Sequence, residues 1–459
     1  MKTLLLGGTI VSGNGCYTSD VLIENEKIIA IGKTSAISKL VDDNTKKFDV
    51  TDKLLFPGFI DAHTHFDLSV AGTVTADNFL TGTRAALKGG TTTIVDFTTQ
   101  YPEESLSQAL NNWHKKADNK CSCDYSFHMS ISEWTPSICQ EVQKMMDEGI
   151  SSFKLYMTYD TMVNDKTMFQ ILNRLKQVNG IVGVHCENDA IIAALRENAI
   201  NKKDVSNHYK TRPDDVEAEA INRLLSIAKI INIPVIIVHL TCKKGYDVIL
   251  NAKKHGQKIY VETCPQYLLL DNHFYDLPSY YEASKFVCAP PLRTKNDQEC
   301  LWKGLANGVI QTISTDHCSF TTAQKALGEN DFTKIPGGVP GVEHRGNLIY
   351  TYGVETHRIN LETMCRVLSE NPAKLYGMYP KKGIIAPGSD ADIVVLNPNV
   401  TDVITAKNQI QNTNYTPYEG MPISSRIEDV FLRGHHVIEH SQITQEKMGI
   451  FIKRKSYNL

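Results

Sequence analysis

A (β/α)8 barrel with a small β-sandwich built from both chain ends is the fold class that the sequence predicts. Three observations point to it. The middle of the chain alternates short apolar, strand-like runs with amphipathic stretches, whereas both ends show short alternating strands between Gly, Pro and Asn breaks. In addition, residues of metal-ligand type recur where the middle runs end, and barrel active sites assemble at the C-terminal ends of strands.

Taken in order, Thr3–Leu6, Ile10-Val11, Val21–Glu24 and Ile28–Ile31 alternate apolar and polar positions. They are expected to form half-buried antiparallel strands. The opening Lys2-Thr3-Leu4-Leu5-Leu6 superficially suggests a signal peptide. It breaks at Gly7-Gly8 with no cleavage pattern after it, so it reads as a strand. The middle runs are Leu54–Ala62, Thr91–Phe97, Tyr125–Ile131, Ser152–Met157, Ile181–His185, Pro234–His239, Lys258–Thr263 and Val309–Asp316. Of the stretches between them, 214–231 places Val216, Ala220, Leu224, Ala228 and Ile231 on one helical face. Eight strands over about 260 residues match a barrel in size and order. A doubly wound open sheet is the alternative, but no Gly-x-Gly-x-x-Gly follows the first strand. Ala391–Leu396, Val430–Gly434 and Val437-Ile438 return to the texture of the N-terminus. The expected organisation is therefore a composite β-sandwich from 1–53 and 385–445, a barrel over 54–384, and a polar tail over 446–459. The tail contains Lys453-Arg454-Lys455 and reads as a surface arm, solvated or in an oligomer contact, rather than a nucleic-acid site.

Composition narrows the function. The 459 residues are 42% hydrophobic and 22% charged, which excludes wholesale disorder. A formal charge of −3 gives no electrostatic reason to expect nucleic acid or an anionic membrane. No apolar run reaches the roughly 20 residues needed to cross a bilayer. Eleven scattered cysteines without a Cys-x-x-Cys pair argue against a disulfide framework and for a reducing cytoplasm.

His63-Thr64-His65 closes the first middle run, and residues two apart in a strand point to the same side. Neutral imidazole binds divalent transition metals, although His-x-His alone also describes a bland surface pair. Lys154 lies inside the run Ser-Ser-Phe-Lys-Leu-Tyr-Met, and His185, His239 and Asp316 end later runs. Singly, His185 or His239 could cap a strand and Asp316 a turn. Together, these positions at equivalent places in one barrel are hard to obtain by chance. Lys154 could snorkel or pair with a carboxylate. Burial would instead lower its pKa and expose a neutral amine. That amine can add carbon dioxide to form a carbamate, whose two oxygens can bridge two metal ions. Four histidines, one such carbamate and one aspartate suffice for two divalent ions of the zinc type.

With its surrounding stretches, this pattern resembles the cyclic-amide branch of the amidohydrolase superfamily. It is most similar to the dihydropyrimidinase/hydantoinase family and to bacterial phenylhydantoinases within it. Gly58-Phe59-Ile60-Asp61-Ala62-His63-Thr64-His65, Ser152-Phe153-Lys154-Leu155-Tyr156-Met157-Thr158-Tyr159 and Val184-His185-Cys186-Glu187-Asn188 carry the resemblance. So do Glu262-Thr263-Cys264-Pro265-Gln266-Tyr267, Pro290-Pro291-Leu292-Arg293, Thr315-Asp316-His317-Cys318 and the late Pro387-Gly388-Ser389-Asp390-Ala391-Asp392. The resemblance covers essentially the whole chain.

It implies His63, His65, Lys154 and Asp316 on one metal and Lys154, His185 and His239 on the other, with Lys154 as N6-carboxylysine. It also implies that Tyr159 donates its phenol to a developing oxyanion and that Asp316 moves a proton from water to the departing ring nitrogen. The implied substrate is a cyclic ureide or imide, opened to an N-carbamoyl amino acid, and the implied assembly a homotetramer or dimer. Two departures bear on substrate. The family commonly has Ser before Pro-Pro-Leu-Arg where this chain has Ala289, and Asn after Ile-Pro where it has Gly337. Both family positions touch the substrate amide largely through the main chain, which Ala and Gly retain. Phe66, Leu68 and Tyr159 are expected to line the side-chain pocket. Allantoinase, other cyclic ureidases and dihydroorotase are the neighbouring enzyme readings. A metal-free scaffold of the same fold is the reading from another class, opposed by the retention of all six ligand-type positions.

Overall fold

Runs rich in Val, Ile, Phe and Thr form eight parallel strands in the computed structural model, which describes residues 2–457. They are β1 (Phe59–Thr64), β2 (Thr91–Thr99), β3 (Asp124–Ser130), β4 (Ser152–Tyr156), β5 (Ile181–His185), β6 (Val235–Ile237), β7 (Ile259–Thr263) and β8 (Thr312–Ile313). Each pairs with the next in chain order. A parallel bridge from Thr64 to His317, just beyond β8, brings the two edges together. Helices cover the outside. In Asp214–Ile231, all five residues assigned to one face from the periodicity are buried, and Asn232 ends the helix in the left-handed conformation.

The remaining strands form two sheets. One is ordered Lys27–Gly32, Asp20–Glu24, Lys2–Leu6, Lys46–Asp49. The other runs Gln442–Ile443, His435–Glu439, Arg426–Leu432, Ile393–Asn397, Leu54–Pro57, Thr9–Ser12, Gly15–Thr18, and so mixes both ends of the chain. Leu5, Ile10, Val21, Ile23, Leu55, Ile393, Val395 and Phe431 from both sheets share one core. Leu4 and Leu22, one residue out of phase with Leu5 and Val21, join a smaller cluster with Ile37.

Three expectations are corrected. The run Leu54–Ala62 is two strands, not one. Leu54–Pro57 pairs with Ile393–Asn397 and Thr9–Ser12, and the barrel strand begins at Phe59. The chain changes sheets at Gly58, where a Cβ would lie 2.0 Å from Thr92 Oγ1. Because both segments are buried, apolarity continues across the junction. The terminal strands are not all antiparallel. Lys2–Leu6 runs parallel to Lys46–Asp49, and Thr9–Ser12 parallel to Leu54–Pro57, a distinction that a period of two does not encode. Finally, the tail is no surface arm. Tyr125 N donates to Ile450 O at 3.1 Å and Ile452 N to Tyr125 O at 2.7 Å. Arg454 is buried, with Nε and Nη1 donating to Ser126 Oγ and Ser152 Oγ, both at 2.8 Å. Ser152 opens β4, so this arginine closes the barrel end opposite the site. The last two tail residues lie outside the described residues.

A buried ion cluster joins the terminal sheets to the barrel. Lys382 Nζ lies 2.8 Å from Asp124 Oδ2, 2.5 Å from Asp392 Oδ2 and 3.3 Å from Asp390 Oδ2. Arg433 pairs with Asp124 through Nη1, and its main-chain N donates to Asp392 Oδ1 at 2.8 Å. The three carboxylates approach closely enough to hold a metal, but Lys382, Arg433 and Lys27, which pairs with Asp390, already balance them. Lys382→Met should destabilise the protein by about 3–5 kcal/mol, the cost of leaving buried carboxylates unmatched. A urea midpoint unchanged from wild type would show that the cluster holds nothing together.

Candidate active site

The barrel brings the predicted ligand-type residues to the C-terminal ends of its strands. His63 lies in β1 and His65 just beyond it, Lys154 lies in β4, and His185 ends β5. His239 follows β6 by two residues and Asp316 follows β8 by three. Tyr159 stands three residues past β4. His239, Asp316 and Tyr159 have φ of 39°, 52° and 73°, the left-handed region that costs such residues about 1–3 kcal/mol each and is found most often at functional sites.

The side chains converge. Donor atoms of His63, His239 and Asp316 all lie within 4.8 Å of one another. His65 Nε2 donates to Asp316 Oδ1 at 3.1 Å, and His63 Nε2 lies 3.2 Å from the same oxygen. The ring centroids of His185 and His239 are 4.6 Å apart, and those of His63 and His239 5.4 Å. Lys154 is fully buried, its Nζ 4.9 Å from the centre of the Phe97 ring and 5.1 Å from that of Tyr156. That nitrogen has no hydrogen-bond partner among the described residues.

Burial and charge set the protonation states. Burial lowers the Lys154 pKa to about 8, against the pull of Asp316 and Glu262. It also lowers His65, His185 and His239, which favours the neutral imidazole that binds metals. Burial alone would lower His63 and raise Asp316. Their mutual attraction outweighs it, holding His63 above the usual range and Asp316 well below.

A second layer orients these groups, and sequence reasoning assigned it no role. His63 Nδ1 donates to Glu262 Oε1 at 2.6 Å, and His185 Nε2 to Glu187 Oε2 at 2.7 Å. Each bond directs the other ring nitrogen away from its carboxylate. Arg212 Nη1 pairs with Glu187, and the Arg212 guanidinium carbon lies 5.6 Å from the centre of the Tyr159 ring. Asp61 accepts from Thr315 Oγ1 at 2.7 Å, tying β1 to the residue before Asp316. Asp96 accepts from Thr64 Oγ1 at 2.8 Å and Phe66 N at 3.0 Å, fixing the turn that carries His65. The period of two that groups His63 with His65 also groups His185 with Glu187, so Glu187 carried a readable signal. The partners from distant strands carried none.

Of the residues expected to contact substrate, Tyr159 is 40% exposed at the mouth, its ring centroid 5.1 Å from that of His185. Desolvation raises its phenol pKa and Arg212 opposes this, so the O–H stays a donor at neutral pH. A Cβ built on Gly337 would sit 3.9 Å from that of Ala289, so these two positions are neighbours. Phe66 is a correction. It is fully buried, packed edge-on against Phe79 and His317, and belongs to the core rather than to a pocket wall.

The donor set suits divalent cations: imidazoles and a carboxylate converge beside a buried amine. Comparison with known proteins agrees. The model of the amidohydrolase family matches residues 54–437. A D-hydantoinase of Geobacillus stearothermophilus is 39% identical over 100% of this chain and 97% of its own length. A D-phenylhydantoinase of Escherichia coli is 38% identical over 100% of this chain and 99% of its own. The crystal structure of a dihydropyrimidinase from Brevibacillus agri superposes with a TM-score of 0.97 at 39% identity, covering 100% and 99% of the two chains. On the length of these matches and the convergence of its strand ends, the chain belongs to the amidohydrolase family.

Proposed function

We propose that the protein hydrolyses the cyclic amide of dihydropyrimidines or 5-substituted hydantoins to N-carbamoyl amino acids. One observation carries the reading: a buried lysine amine with no acceptor among the described residues, at the strand ends where four histidines and an aspartate gather. His63, His65 and Asp316 would hold one divalent ion, and His185 and His239 the other. Lys154, carboxylated by carbon dioxide, would contribute to both, and the nitrogen and oxygen donors suit zinc. When bound, such a pair polarises a carbonyl and makes water nucleophilic near neutral pH.

The protein's own groups supply the rest. Main-chain groups at Ala289 and Gly337 hold the ring amide in place. Water adds to the ring carbonyl carbon, and Tyr159 Oη donates to the oxygen that gains charge. The Asp316 carboxylate, held ionised beside His63, accepts the attacking water's proton. That proton then passes to the ring nitrogen as its bond to carbon breaks. The products are a carboxylate and a ureido group on one open chain. No helix among the described residues is long and apolar enough to cross a membrane, and all eleven cysteines are unpaired among the described residues. The unpaired cysteines support a cytoplasmic location, and the family resemblance supports a homotetramer or dimer.

Assay of dihydrouracil, hydantoin, 5-phenylhydantoin and allantoin should show ring opening of the first three in preference to allantoin. Turnover of allantoin alone would move the protein to the neighbouring ureidases. Wild-type protein should carry about two divalent ions per chain and lose activity on chelation. Lys154→Ala should fail to retain both, and full activity in metal-free Lys154→Ala protein would end the proposal. Tyr159→Phe should lower kcat by about 10²–10³ with little change in KM, the loss expected for a donor that acts on the transition state.

A further inference from the structure

Lys325 is a second lysine sealed inside the protein, and unlike Lys154 it has every donor matched. Its Nζ donates to Val287 O and Pro336 O, both at 2.7 Å, and to Gly338 O at 2.8 Å. An ammonium has three N–H groups, so three carbonyls exhaust it. The acceptors are not scattered. Pro336 and Gly338 flank Gly337, and Val287 stands two residues before Ala289. Gly338 N donates to Val287 O at 3.0 Å, joining the same two segments directly. Gly338 is pressed against the residue two beyond Asp316, where a Cβ would fall 2.4 Å from Cys318 O. Tyr280 Oη in turn donates to Lys325 O at 2.6 Å and anchors the lysine's own main chain. Burial pushes the ammonium's pKa down to about 7, while three carbonyl dipoles aimed at it favour the charged form.

We propose that Lys325 is a positioning residue for ring binding. Its ammonium fixes the separation of the main chain at Ala289 from that at Gly337, so that both grip one ring amide. A neutral side chain could fill the space but could not gather three mutually repelling carbonyls at one point. Ala289 and Gly337 offer no polar side chain, so backbone placement is the only polar recognition these two positions provide.

This inference rests on the ring-opening reading, and the test separates the two. Metal-loaded wild type, Lys325→Met and Lys325→Gln are compared on 5-phenylhydantoin for kcat, KM and metal content. Hydrogen–deuterium exchange of segments 287–291 and 335–339 is followed in parallel. In Lys325→Met, KM should rise about tenfold or more with kcat within about threefold and metal content unchanged, while both segments exchange faster. Lys325→Gln keeps two N–H donors and should fall between. It also supplies the comparison if Lys325→Met does not fold. A purely structural role would instead reduce the active fraction, lowering kcat at constant KM, and would overturn the inference. So would unchanged exchange in both segments. Absence of ring opening by the wild type would overturn the functional reading and this inference with it, whereas normal wild-type turnover with unchanged KM in the variants would sink the inference alone.

Discussion

An amine enclosed in a barrel wall, with aromatic rings on two sides and no acceptor among the described residues, costs several kcal/mol in its charged form. Lys154 is held there because neighbouring strands leave it no other place. It lies two residues from the end of β4, between strands whose side chains are themselves buried. The four imidazoles and Asp316 face the same volume, so protonating His65, His185 or His239 brings further cost. The arrangement favours neutral rings at His65, His185 and His239, an ionised aspartate paired with His63, and an amine that gives up its proton readily. Those are the states in which each group donates an electron pair. The preference for cations is thus built into burial before any cation arrives.

Around this centre the charges are balanced in pairs rather than in bulk. Glu262 and Glu187 each take one imidazole N–H. Arg212 balances Glu187, and Arg293 bonds both to the Arg212 carbonyl and to Glu217. This chain of contacts leads from a ligand-type histidine to the helix Asp214–Ile231 on the outside of the barrel. The two buried lysines show opposite uses of one residue type. Three carbonyls satisfy Lys325, whereas Lys154 has no acceptor among the described residues.

The barrel was legible because eight apolar runs with intervening amphipathic stretches leave few alternatives. The ligand-type residues were legible because each sits at or near the end of a run. What escaped reading depends on contacts between distant residues. Gly58 separates two sheets without interrupting apolarity, so one strand was expected where two exist. Strand direction at the N-terminus is set by partners more than 40 residues away, such as Lys47 beside Leu4. Arg454 sits in a basic triplet that locally resembles any solvated tail, and only Ser126 and Ser152 reveal its burial. The pairing of Glu262 with His63, from strands on either side of the closure, likewise has no local signature.

The docking of residues 450–454 across the floor of the barrel has a consequence for biogenesis. β3 receives hydrogen bonds from segments made more than 300 residues later, and Arg454 joins β3 to the start of β4. A chain emerging from the ribosome can pair its early strands but cannot seal the barrel until residues 450–454 have been made and have docked. Most of the nascent protein therefore waits with an open, apolar end, and during that interval a chaperone's protection counts most.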